Sequence, residues 1–426
     1  MDNRTQALIH FLDASHSVYH AAEYLADTLE KAGYTRLSEG AAWELMPGGK
    51  YYLVRGGTAV IAFRLPEGSP KGFLMRASHS DRPCFKVKEN FESAGAYTKV
   101  LVERYGGMLI APWLDRPLSI AGRVMVETEE GVESRLVDID RDLLLIPNLA
   151  IHMNRSANEN QKWNPAVDTL PILGGKGAKG KLLPLLEQEA GGKILGHDLY
   201  LYIRQKASVW GIDEEYLSSA ALEDLECAWS CTQGFLNAQN SENIPVLCVF
   251  DCEEVGSSSV QGAASDLLEG VLTRICGALK LDIYQMLANS FMVSADNGHA
   301  LHPNHPEMSD AANAPLPGGG VVLKFNASQR YCTDGVAAAI FRKVCAKADV
   351  QTQTYCNRAD IPGGSTLGNI SLHHVSVPTA DIGLAQLAMH SCYETGAVSD
   401  AIALETAMAA FYGSTLTAID TGYMLK

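Results

Sequence analysis

No CxxC pair and no finger-like Cys/His spacing occurs among the ten cysteines, which are spread from Cys84 to Cys392. A thiolate structural metal site and a disulfide scaffold are thereby excluded, and reduced, mostly buried thiols are expected. No stretch approaches the ~18 uninterrupted apolar residues of a membrane helix, and the opening Met1-Asp-Asn-Arg-Thr-Gln-Ala lacks a basic region followed by an apolar one. A soluble, cytoplasmic protein is expected. Basic residues are few: 34 Lys and Arg stand against 49 Asp and Glu, a net charge of −15. That balance disfavours nucleic acid or an anionic membrane as partner, and an acidic ligand needs a locally positive pocket.

Internal repeats are absent, and so is a complete phosphate loop. Gly175-Lys-Gly-Ala-Lys-Gly180-Lys181 comes close, but Leu182 stands where Ser or Thr is required. No strand–helix context is evident around it, so the segment reads as a mobile, solvated basic loop without a nucleotide.

What is present is an α/β rhythm in 426 residues, enough for two or three domains. Residues 18–32 put Val18, Ala21, Ala22, Leu25 and Leu29 on one helical face, with Ser17 as cap and Gly33 as stop. Tyr51–Val54, Thr58–Leu65 and Gly72–Ala77 read as strands, and Leu118–Val126 and Ser134–Ile139 belong to a β-rich stretch. Helices are expected over Ala220–Leu236, Asp266–Leu281 and Ser399–Tyr412, the last capped by Ser399. Strands are expected at Ile244–Phe250, Phe291–Ser294 and Val321–Phe325. The expected architecture is an α/β domain, 1–90 with 207–426, interrupted by a β-rich insertion, 91–206.

Acidic residues stand where strands end. Asp251-Cys-Glu253-Glu254 comes directly after the apolar run Ile244–Phe250, an unfavourable place for like charges unless cations neutralise them. Adjacent Glu side chains diverge, so one can ligate a metal while the other handles the proton of an attacking water. His79 and Asp81 form a His-x-Asp at another strand end, where a carboxylate can orient the imidazole. Asp296 closes a third strand, and His390 lies in Met389-His390-Ser391. A mixed His/carboxylate set suits zinc, manganese or cobalt better than calcium. A metal-dependent hydrolase is the reading these residues support.

The chain resembles the aspartyl aminopeptidases, the M18 metallopeptidases. The resemblance is carried by Ser78–Pro83, Tyr105–Val124, Leu149–His152, Asp251–Ser257, Ser294–Asn304, Lys324–Thr333, Gly364–Gly368 and Met389–Ser391, in family order. It implies an aminopeptidase-type mixed sheet, with the insertion serving dimerisation. It implies two divalent ions, zinc foremost, with His79, Glu254, Asp296 and His390 as terminal ligands. Glu253 is then the general base, with Asp81 beside it. The bridging carboxylate falls at Glu223, where the family usually has Asp; Asp224 is the alternative. His299, Lys324 and Tyr331 are implied in substrate binding, as is His152 reaching a neighbouring subunit. The implied assembly is a homo-oligomer, a dodecamer built from dimers, cleaving Asp or Glu from peptide N-termini. Two other readings share these residues: another metal-dependent amide hydrolase such as a deacylase, and a catalytically impaired shell or cargo protein.

Overall fold

Continuous apolar runs in this chain become central strands because both faces of the main sheet are covered by helices. The computed structural model describes residues 2–239 and 241–426. Its nine-stranded sheet has the middle order Ala59–Arg64, Ile244–Phe250, Phe73–His79, Phe291–Ala295, Thr379–Gly383, Val321–Phe325. Ile244–Phe250, Phe73–His79, Phe291–Ala295 and Thr379–Gly383 run parallel to one another in that series. Every residue of these strands is buried. Helices Asn3–Ala14, Val18–Lys31, Leu222–Asn237, Gly335–Lys347 and Val398–Gly413 pack on one face, and Leu267–Leu279 on the other.

A separate six-stranded sheet has the order Gly131–Asp138, Leu118–Thr128, Ile194–Ile203, Cys84–Ala94, Tyr97–Tyr105, Ile172–Gly175. It is antiparallel throughout and encloses its own core around Phe85, Trp113, Ile120 and Leu199. The chain leaves the main sheet at His79 and enters this one at Cys84, so the connection Ser80–Pro83 joins the two. The fold is mixed α/β, with a large mixed sheet and a separate antiparallel one.

Local expectations are met with three corrections. The helix Val18–Lys31 ends as expected on Gly33 at φ +84°, where Gly33 N–H donates to Glu30 and Tyr34 N–H to Leu29. Ser17 occupies its N-cap, yet the hydroxyl bonds His20 Nδ1 at 2.8 Å and caps no amide. Ser399 is no cap: strand pairing with Tyr216–Ser219 holds the chain extended up to Ala397, and the helix starts at Val398. The basic segment 175–181 does lie between a strand, Ile172–Gly175, and a helix, Leu182–Ala190. That strand forms through pairing with Tyr97–Lys99, a tertiary contact that overrides its glycines. The amides of Gly180 and Leu182 donate to the Glu92 carboxylate at 2.6 and 3.2 Å, so an anion of the same chain already occupies the turn.

Candidate metal centre

Parallel strands deliver their carboxyl ends to one edge of the sheet, where ligands gather in open α/β folds. His79 is the last residue of Phe73–His79, and Asp296 comes directly after Phe291–Ala295. Beyond Ile244–Phe250, left-handed Cys252 and Gly256, at φ 62° and 95°, bracket a single 3₁₀ turn holding Glu253 and Glu254. Glu223 enters from the head of helix Leu222–Asn237, where its own ψ of 114° is not helical. His390 enters on a turn with φ 66°.

Ligand atoms of His79, Glu223 and Asp296 lie within 4.8 Å of one another, all buried. His79 Nε2 stands 3.4 Å from Glu223 Oε1, and His390 Nε2 stands 3.4 Å from Glu254 Oε1. Neither His79 Nε2 nor Glu254 Oε1 makes a hydrogen bond among the described residues, although both are buried. Two donors on a tetrahedral zinc, each about 2.0–2.2 Å from it, are separated by roughly 3.4 Å. The spacing and the unsatisfied atoms therefore fit metal coordination in both pairs.

Asp81 ties the site together. Its backbone carbonyl and carboxylate lie 3.1 and 3.3 Å from His79 Nδ1, which turns Nε2 toward Glu223. The same carboxylate accepts the amides of Glu253 and Glu254 at 3.1 and 3.2 Å. Tyr105, from the six-stranded sheet, donates its hydroxyl to Asp81 at 2.7 Å. Sequence reasoning gave Tyr105 no role, because nothing local in the chain signals a contact made between two sheets. Gly106 comes next at φ +73°; a Cβ there stands 3.1 Å from Glu254 Cβ, so both conformation and space call for glycine.

Electrostatics sort the carboxylates. Burial, joined by the charges of Asp296, Asp81 and Glu223, pushes the Glu253 carboxyl up to about 8. Glu254 is raised chiefly by burial, then by Glu223. Burial opposes ionisation of Glu223 as well, but His79, His390 and Lys324 together hold it below the usual range. Asp224 is fully buried beside it, accepts the His79 amide at 3.3 Å, and is raised by burial and by Glu223. The Glu223 side chain stands with those of His79 and Asp296, while Asp224 Oδ1 is also buried without a hydrogen-bond partner among the described residues.

Lys324, implied in substrate binding, is 1 % exposed. Its ammonium donates to Asp296 O, Asp296 Oδ1 and Asn297 O at 2.7, 2.9 and 3.3 Å. It also stands 5.0 Å from the centre of the Tyr331 ring. His299 opens onto a cavity of about 270 Å³ shared with His302, Tyr355, Arg358 and Met389. His152 stands exposed on the turn between 147 and 164.

The family profile described as aminopeptidase I zinc metalloprotease (M18) matches residues 11–412. A probable M18 family aminopeptidase 2 of Clostridium acetobutylicum is 40% identical over 421 residues, 95% of this chain and 97% of that protein. Among solved structures, the cryo-EM structure of the Ape4 and Nbr1 complex superposes with a TM-score of 0.93 at 35% identity, over 96% of this chain and 85% of that one. The mApe1 dodecamer of S. cerevesiae gives 0.85 at 27% identity, over 96% of both chains. With a buried His/Glu/Asp cluster at the strand ends and a match along nearly its whole length, the chain belongs to the M18 family of zinc metalloaminopeptidases.

Proposed function

We propose that this aminopeptidase removes a single Asp or Glu from the N-terminus of peptides and holds two divalent ions, zinc foremost. The observation that carries the two-ion reading is the pair of unbonded His–carboxylate contacts, His79–Glu223 and His390–Glu254, both at 3.4 Å. Asp296 joins the first pair, and Glu223 stands electrostatically between His79 and His390. Bound there, the ions supply Lewis acidity toward the scissile carbonyl and make water acidic enough to give up a proton near neutral pH.

The chain's own groups do the rest. Glu253 receives the proton of the attacking water and hands it to the leaving amine. Asp81 holds Glu253 and Glu254 by their amides and turns His79 by its Nδ1. His299 faces the substrate cavity, and Tyr331 stands behind it with Lys324. Lys324, with its donors committed to Asp296 and Asn297, contributes as a fixed charge behind the cavity. His299, His302 and Arg358 line that cavity and are the polar groups an acidic side chain would meet there, with Arg358 already paired with Asp360 and the buried His299 imidazole held below its usual pKa. His152 is read as acting in a neighbouring subunit of a dodecamer built from dimers, which its exposure permits. The insert is read as serving dimerisation within a catalytic domain of 1–90 and 207–426; its expected start at 91 falls inside the strand Cys84–Ala94, so the six-stranded sheet begins earlier, at Cys84.

The test is a panel of aminoacyl substrates with the zinc-loaded oligomer at matched salt and pH. Faster cleavage of Asp- and Glu-substrates is expected; faster cleavage of Leu- or Ala-substrates removes the acidic specificity and leaves the aminopeptidase.

A further inference from the structure

Glu394 is outside the ligand cluster, yet it touches the backbone of two residues assigned to the metals. It is 1 % exposed, on the short strand Glu394–Ala397 that pairs with Tyr216–Ser219. Its carboxylate accepts one hydrogen bond from the backbone amide of His390 at 2.7 Å and another from that of Glu223 at 3.0 Å. The two oxygens are divided between them, Oε1 to His390 and Oε2 to Glu223.

Both amides sit in backbone that needs holding. His390 has φ 66° and Ala388 φ 57°, while Ala221, two residues before Glu223, has φ 59°. Left-handed conformations at such residues carry strain, and they persist where surrounding contacts over-determine them. A carboxyl group is suited to the task because each of its two oxygens can meet a separate N–H. Burial strengthens both bonds and leaves no water to replace them.

We infer that Glu394 is a positioning residue of the metal centre, a carboxylate clamp that sets the separation between the Glu223 and His390 side chains without ligating metal itself. The inference rests on the two-ion reading. Of the two positions, the one held by His390 and Glu254 depends more on the clamp, because the His390 amide and the strained φ belong to the same residue. The position held by His79 and Asp296 is anchored by strand ends and by Asp81.

The test measures Zn²⁺ affinity and stoichiometry of the full-length oligomer, by competition with a chromophoric chelator, for Glu394→Gln. Glutamine keeps one acceptor and turns an NH₂ toward the other backbone N–H, donor against donor. The expected result is a loss of about 10- to 100-fold in affinity for one Zn²⁺ equivalent, the range seen when groups behind metal ligands are altered. The other equivalent is expected to stay near wild type. Glu394→Asp keeps both acceptors on a shorter arm and is expected to fall between, which also covers the case in which the Gln variant does not fold. A lowered Tm with both affinities unchanged, in either folded variant, overturns the inference. Glu254→Gln serves as control: if it too leaves both equivalents untouched, the two-ion reading fails; if only the Glu394 variants do, the clamp fails alone.

Discussion

Lys324 and Asp296 form a buried ion pair in which one ammonium holds both the carboxylate oxygen and the backbone carbonyl of its partner, at 2.9 and 2.7 Å. The pair is asymmetric in its effect. Lys324 remains charged, with burial opposed by Asp296, whereas burial and Glu223 together keep Asp296 above the usual carboxylate range despite Lys324. A lysine so committed cannot swing to meet an acidic substrate side chain.

Lys324→Met is therefore expected to lower turnover of acidic and neutral substrates alike and to weaken Zn²⁺ binding. Removing one partner of a buried pair costs about 3–5 kcal/mol, so a clear drop in Tm accompanies it. A selective loss on Asp- and Glu-substrates, with metal retained, would return Lys324 to the role of side-chain reader.

Glu253→Gln keeps the shape of the turn and leaves the Asp81 contact, which goes through the backbone amide, intact. Metal content should match wild type while kcat falls by roughly 10²–10⁴, the range for loss of a general base. Elemental analysis alongside steady-state kinetics decides; a metal-loaded variant that turns over normally removes Glu253 from proton transfer.

Glu223→Ala and Asp224→Ala separate neighbours that are both buried. Glu223 belongs to the ligand cluster, and Asp224 supports the His79 amide from behind. Zinc stoichiometry is expected to fall in the first and to survive, with weaker affinity, in the second. The reverse order would make Asp224 the bridging group.

Metal binding should depend on pH in a defined direction. Glu253 has its folded pKa raised from 4.5 to about 8, and Glu254 is raised too, both chiefly by burial. In metal-free protein their contribution to stability is fully present below the unfolded value near 4.5 and is lost as pH rises through about 8. Metal displaces those protons, so the gain in Tm on adding Zn²⁺ should grow from about pH 5 to about pH 8. Thermal melts across that range check it, and a gain that stays flat or shrinks contradicts the electrostatics.

Strand-end residues were readable from sequence because a parallel strand buried on both faces is a continuous apolar run, and the first residues past its end emerge at the sheet's edge. Phe73–His79, Ile244–Phe250 and Phe291–Ala295 show this, and with them His79, Glu253, Glu254 and Asp296. The mixed α/β class came from the same runs. Partners across the fold were not readable. Tyr105 meets Asp81 between two sheets, and Glu394 meets Glu223 only once its strand has paired with Tyr216–Ser219. The burial of Lys324 was not readable because its neutralising partner, Asp296, comes after a different strand. Ser399 was mistaken for a cap because the competing signal, a strand pairing that runs up to Ala397, is tertiary.

The hydroxyl that Tyr105 lends to Asp81 bears on how this enzyme could be cut down or grafted. Its strand, Tyr97–Tyr105, belongs to the smaller sheet, and the residues just after it include Gly106 against Glu254 and Leu109, whose amide donates to the His390 carbonyl at 3.0 Å. Excising the smaller sheet to obtain a minimal hydrolase would strip one wall of the reaction chamber along with the appendage. A transplanted version of the larger sheet would need a replacement hydroxyl for Asp81 and a new floor beneath His390 before its imidazoles could be aimed.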